Sequence, residues 1–89
     1  MPWYCYIIEC ENNFLYTGIT KDIEKRFKDH QTSKKGAKFT KKNKPIRIVW
    51  QEEQENYSTA IKKEMEIKAW RKKRKMKFIE DSSQLKFYV

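Results

Sequence analysis

The sequence predicts an α+β domain: a small sheet with helices packed on it. Three observations carry that expectation. Two short runs rich in aromatic and β-branched residues, 3-WYCYIIEC-10 and 14-FLYTGIT-20, flank a polar turn. A third run of the same kind, 46-IRIVWQEE-53, follows a basic segment. Two stretches with helical spacing, one after Thr20 and one after Asn56, alternate with the strands and give the order ββαβα.

Strand 3–10 is apolar on both alternating faces, so it is expected at the centre of the sheet. Glu11, Asn12 and Asn13 supply the turn, and strand 14–20 is its hairpin partner. Thr20 is placed to cap the helix that follows, with Asp22 in its first turn and an end near residue 33. The segment 34-KKGAKFTKKNKP-45 reads as a loop with room for one helical turn. After strand 46–53, a helix opens near Asn56 or Ser58 and runs to about Trp70. The basic run 71-RKKRKMK-77 follows, then a short tail that leaves room for one more short helix.

All 89 residues (1–89) are expected to form one domain. A chain of this size buries only about 60–65% of its unfolded surface, so the core is thin, and three Trp, five Tyr and five Phe compensate. Twenty-one Lys and Arg oppose twelve Asp and Glu, for a net charge of +9. Such a field favours a polyanion, with nucleic acid the first candidate. No apolar run is long enough for a bilayer and nothing reads as a signal peptide. The expected setting is therefore cytoplasmic, nucleoid-associated in a bacterium, with no membrane partner. Cys5 and Cys10 on one strand lie ~16 Å apart, too far for a disulfide, and read as reduced buried thiols. With a single histidine, no Cys/His zinc site can form.

Several polar residues stand where apolar ones are expected. On the first helix, Ile23, Phe27 and His30 share a face, and Arg26 and His30 run along its margin. From this helix alone, an arginine snorkelling from an apolar edge explains the pattern. On the later helix, Glu64 falls within about 40° of Ala60, inside the arc of Tyr57, Ile61 and Ile67, whereas Glu66 falls opposite. A carboxylate there is costly unless paired or metal-bound. An i,i+4 pair with Lys68, a buried pair with Arg26 and a functional carboxylate all remain open. Tyr4 and Tyr6 share one face of the first strand, and Tyr16 shares a face with Gly18 on the second. A glycine inside a strand signals close approach of a backbone or ligand, or a bulge.

These residues together resemble the GIY-YIG nuclease superfamily over nearly the whole chain. The two signature tripeptides appear in variant form as 4-YCY-6 and 16-YTG-18. Arg26 and His30 lie within 22-DIEKRFKDH-30, and Glu64 within 59-TAIKKEMEIKAW-70. The length and the segment 36-GAKFTKKNKP-45 are most similar to single-domain bacterial members, which are related to the nuclease half of an excision-repair protein. The resemblance implies a three-stranded antiparallel sheet flanked by helices. It also implies an endonuclease hydrolysing DNA phosphodiester bonds with one divalent ion, Mg²⁺ or Mn²⁺, held by Glu64. Arg26 would hold the scissile phosphate. Tyr6 would help activate water, with Tyr16 as partner or alternative base, and His30 would orient or polarise one of them. Gly18 would let substrate approach the sheet.

The first motif lacks its glycine, a second histidine found in some members has no counterpart, and no asparagine follows Glu64. Lys35, Lys38 and Lys72 are the candidates for further phosphate contact. Residues 21–47 hold eleven Lys/Arg against three acids, and residues 60–79 nine against two, enough to track a DNA backbone without reading bases. Trp70 and Phe39 could stack on unpaired bases, although core packing suits Trp70 better. The expected substrate is branched, damaged or non-specific DNA, with a link to repair or recombination and a protein partner left open. The competing expectation is a non-catalytic nucleic-acid-binding module of the same fold acting with a partner.

Overall fold

The computed structural model describes residues 2–32 and 38–87, with the side chains of Phe39 and residues 83–87 outside the description. Strand β1 (Trp3–Cys10) and strand β2 (Leu15–Thr20) form an antiparallel hairpin around a 3-10 turn at Glu11–Asn13. Asn12 and Asn13 take left-handed backbone angles, φ 64° and 63°, which asparagine tolerates better than most residues. Strand β3 (Pro45–Gln54) pairs antiparallel with the other side of β1, giving the order β2-β1-β3. The strand that is apolar on both faces is thus the central one, as its sequence predicts.

The pleat sorts β1 into two cores. Cys5 and Ile7 join Trp50 and Ile67 in one cluster, with Leu15, Ile19, Trp70, Phe78 and Ile79 packed against it. Tyr6, Ile8 and Cys10 form the other, against Tyr16, Ile23, Phe27 and Ile48. Helix α1 (Ile23–Thr32) covers the second face. Helices α3 (Tyr57–Ala69) and α4 (Lys72–Phe87) cover the first. Both cysteines are buried and free, and burial pushes their thiols up, to about 12 at Cys5 and about 11 at Cys10.

Two local expectations change. Asp22, not Thr20, caps α1: its Oδ1 accepts the Lys25 amide at 3.1 Å, while Thr20 Oγ1 accepts the Asp22 amide and shapes the approach. The C-terminal segment is not a short tail but a 16-residue helix. Its lysines, arginine, methionine and glutamate are good helix formers, and Phe78 fastens it edge-on to Trp50 and Trp70 at 5.1 Å each. With so few apolar residues in the run, periodicity alone gave little warning of it. Helix α3 starts at Asn56, whose side chain and Thr59 form a reciprocal capping box. A short helix α2 (Lys38–Lys42) lies in the basic segment, packed beside α1. No helix among the described residues is long and apolar enough to cross a membrane.

Candidate active site

The hairpin register makes Tyr6 face Gly18 and Ile8 face Tyr16. Both tyrosines therefore rise from the sheet face that α1 covers. Tyr6 Oη lies 2.9 Å from His30 Nε2, and both residues are buried. The Tyr16 ring meets the imidazole edge-on, with centroids 5.0 Å apart. His30 is brought there by α1, on the same stripe as Ile23 and Phe27, so it is a fully buried inward residue and not a marginal one.

Gly18 belongs to this cluster because of what packs over it. A Cβ at this position would lie 2.6 Å from Tyr6 Oη, 2.8 Å from Tyr6 Cζ and 3.0 Å from Tyr16 Cε2. The group that approaches the sheet here is the Tyr6 phenol, and Gly18 is buried beneath it. In this structure the Tyr6 phenol occupies the approach that Gly18 was expected to leave open to substrate.

Arg26 is half-buried and lies near enough to Tyr6 to favour its ionised form. Burial outweighs that effect. Together with Tyr16 and Glu64 it pushes the Tyr6 pKa above the ordinary value of 10, so the phenol keeps its proton at neutral pH. Burial also holds His30 far down, at about 4, with Arg26 adding to the effect and Asp29 opposing it. The imidazole is therefore neutral at pH 7, with one nitrogen donating and the other accepting. The second nitrogen, Nδ1, lies 2.8 Å from Oγ1 of Thr40, a buried residue of α2. Thr40 escaped the sequence reading: nothing in a lysine-rich segment ten residues from His30 marks one threonine as its partner.

Glu64 stands on the inward side of α3, and its side chain is 17% exposed. Its charge is felt at Cys5 and at Tyr6, on opposite faces of β1, as expected for a helix packed along β1 and β2. The i,i+4 ion pair with Lys68 is present, at 3.4 Å between Nζ and Oε2. Lys68 is 51% exposed and also sits 6.0 Å from the centre of the Tyr16 ring. The contact is long and its cation is solvated, so the pair contributes little, ~0.5 kcal/mol, and leaves the carboxylate available.

No three acidic, histidine or cysteine side chains converge among the described residues. The resemblance would rest a divalent cation on Glu64, the carboxylate it assigns to that role. That arrangement suits Mg²⁺, which keeps several waters and needs only one or two carboxylates. The donor set fits the ion the resemblance implies.

Around this cluster Arg26 opens onto a recess of about 270 Å³, lined also by Thr20, Lys21, Asp22, Lys25 and Asp29. Lys38 is exposed on α2, two residues before Thr40, and Lys72 is exposed at the start of α4. Lys35 lies outside the described residues. Trp70 packs against Phe78 and carries Arg74 over its ring at 4.5 Å, so it serves the core, as expected. The structure thus gathers Tyr6, Tyr16, Gly18, Arg26 and His30, sets Glu64 within electrostatic reach of Tyr6, and adds Thr40 and Lys68.

Comparison with known proteins gives a consistent result. The family described as the GIY-YIG catalytic domain matches residues 2–77. The chain is 44% identical over 78 residues to a UPF0213 protein of Staphylococcus saprophyticus, covering 88% of this chain and 94% of that one. It is 48% identical over 66 residues to a UPF0213 protein of Cupriavidus necator, covering 74% of this chain and 71% of that one. Among solved structures, it is similar to the solution NMR structure of UPF0213 protein BH0048 from Bacillus halodurans. There the TM-score is 0.58 at 35% identity, over 90% of this chain and 84% of that one.

Proposed function

The chain belongs to the GIY-YIG catalytic domain family, and from that premise we propose that it is a divalent-metal-dependent endonuclease hydrolysing DNA phosphodiester bonds. The observation that carries this reading is the buried Tyr6–His30 contact with Arg26 beside it and Glu64 close enough for its charge to bear on the phenol. The net charge of +9 supports a polyanionic substrate read through its backbone. A preference for branched or damaged DNA, and a role in repair or recombination, belong to the same proposal.

A divalent cation at Glu64 would supply Lewis-acid polarisation of the scissile phosphate. The chain's own residues do the rest. Arg26 offers donors in a planar fork that matches phosphate oxygens and offsets the charge that develops on them. Tyr6 Oη accepts a proton from the attacking water as its own proton passes to His30 Nε2, so no free phenolate is needed. The hydroxide so formed adds to phosphorus and the bond to the leaving oxygen breaks; that oxygen takes a proton from solvent water, and His30 gives its extra proton back through Tyr6. The arriving phosphate also raises the basicity of His30, because its negative charge counters the effect of Arg26. Tyr16 holds the imidazole plane through its ring edge.

The test is nicking of supercoiled DNA, and of flap, bulge and junction substrates, with Mg²⁺ or Mn²⁺ and with chelator. Glu64→Gln should lose more than about 100-fold in rate, since a metal ligand contributes several kcal/mol to the transition state. The melting curve should stay nearly unchanged, because the Lys68 pair is weak. Full activity in Glu64→Gln removes the assignment. Salt-sensitive DNA binding without metal-dependent cleavage on any substrate would favour the non-catalytic module.

A further inference from the structure

Three buried polar groups form one continuous line: Thr40 Oγ1, the two nitrogens of His30, and Tyr6 Oη, joined by contacts of 2.8 and 2.9 Å. Thr40 is 1% exposed, His30 0% and Tyr6 2%. A neutral imidazole can run in either direction along such a line. With the hydrogen on Nε2 it would donate to Tyr6. With the hydrogen on Nδ1 it donates to Thr40 and accepts from Tyr6.

The surroundings of Tyr6 choose between them. Arg26 beside the phenol brings donors only. A second donor from His30 would crowd the same oxygen and leave the phenol hydrogen to find another acceptor. Gly18 underlies the hydroxyl, and its missing Cβ would fall 2.6 Å away, so no acceptor side chain stands there. The hydrogen of Tyr6 is therefore best directed at Nε2, and that requires the imidazole hydrogen at Nδ1. We infer that Thr40 is a positioning residue: its hydroxyl accepts the His30 Nδ1 hydrogen, fixes that tautomer, and so keeps Nε2 as the proton acceptor for Tyr6. The consequence for catalysis rests on the nuclease reading above; the tautomer itself does not.

The placement carries a further meaning for the fold. Thr40 sits in α2, between exposed Lys38, Lys41 and Lys42. The same five-residue helix that presents lysines to solvent supplies the inner end of the hydrogen-bonded line.

His30 is the chain's only histidine, so its ring nitrogens give the only imidazole signals in a ¹⁵N-labelled sample. Long-range ¹H–¹⁵N spectra at pH 7 distinguish a protonated from an unprotonated ring nitrogen directly. The wild-type protein should show Nδ1 protonated and Nε2 unprotonated. Thr40→Ser should keep that pattern, and Thr40→Val should lose it to the other tautomer or an exchanging mixture. Nicking should fall at least about 10-fold in Thr40→Val and return in Thr40→Ser, as expected for a mispositioned proton acceptor. A wild-type imidazole protonated at Nε2 overturns the proposal, and so does a Thr40→Val protein that holds pure Nδ1–H. Should Thr40→Val fail to fold, the wild-type and Thr40→Ser spectra still decide. If the wild-type protein shows Nδ1–H but cuts no DNA, the nuclease reading fails and the positioning role stands.

Discussion

Replacing Gly18 by Ala tests whether the tyrosine cluster is built as described. Gly18 has an ordinary negative φ, so alanine meets no backbone strain. Relief of glycine's entropic cost in a strand would by itself stabilise the protein by about 0.5–1 kcal/mol. Against this stand three contacts of 3.0 Å or less, two of them with Tyr6. Tyr6 is not a loose surface chain that can swing aside: it is buried and held by His30. Forcing an extra methyl into such a core costs about 1–3 kcal/mol, and breaking the Tyr6–His30 hydrogen bond adds roughly 1 kcal/mol. The net expectation is a loss of roughly 1–3 kcal/mol, a fall in Tm on the order of 10 °C for a domain this small. Urea and thermal denaturation followed by circular dichroism measure both. Tyr6→Phe removes the atom that would sit closest, at 2.6 Å, so the double variant should recover part of the loss. A neutral or stabilised Gly18→Ala protein, or a strictly additive double variant, would refute the packing.

Acid should destabilise the fold through His30: its pKa is about 4 when folded against an ordinary 6.5, so the unfolded chain takes the proton more readily. That stability is complete above pH ~6.5 and is lost as pH falls towards 4, with roughly 2 kcal/mol gone between pH 7 and 5. Urea midpoints across that window should drop for the wild-type protein and stay nearly level for His30→Gln; parallel slopes in the two proteins would contradict it. Thr17 is buried with no hydrogen-bond partner for its hydroxyl among the described residues, so Thr17→Val should raise stability by ~1 kcal/mol, read from the same urea curves. A loss of stability in Thr17→Val would mean that the hydroxyl has a partner after all.

What the sequence discloses about this site, and what it withholds, follows from the range of the interactions involved. The faces of α1 and α3 depend on neighbours three and four residues away, so periodicity puts Glu64 inside its apolar arc and His30 on the face of Ile23 and Phe27, though at the margin and not fully inward. The contact between Tyr6 and Gly18 was also within reach. A turn centred on Asn12 sets the hairpin register, and that register makes the two residues face each other. A glycine opposite an inward tyrosine then signals room for the phenol. Helix α4 was hidden because its hold on the sheet depends on a few side chains, chiefly Phe78 against Trp50 and Trp70, rather than on a repeating stripe. Thr40 was hidden more deeply, since no local rule joins it to an imidazole on another helix.

The finished arrangement separates charge from proton movement. Within the α1-covered face, Tyr6, His30 and Thr40 form a neutral hydrogen-bonded line that burial keeps uncharged. At its margin Arg26 is half-buried, and Glu64 on α3 is balanced by a solvated Lys68. In the free protein desolvation therefore keeps the phenol protonated and the imidazole neutral. On the nuclease reading proposed above, an anion drawn to Arg26 and a cation at Glu64 would bring charge against the line and favour transfer of a proton along it.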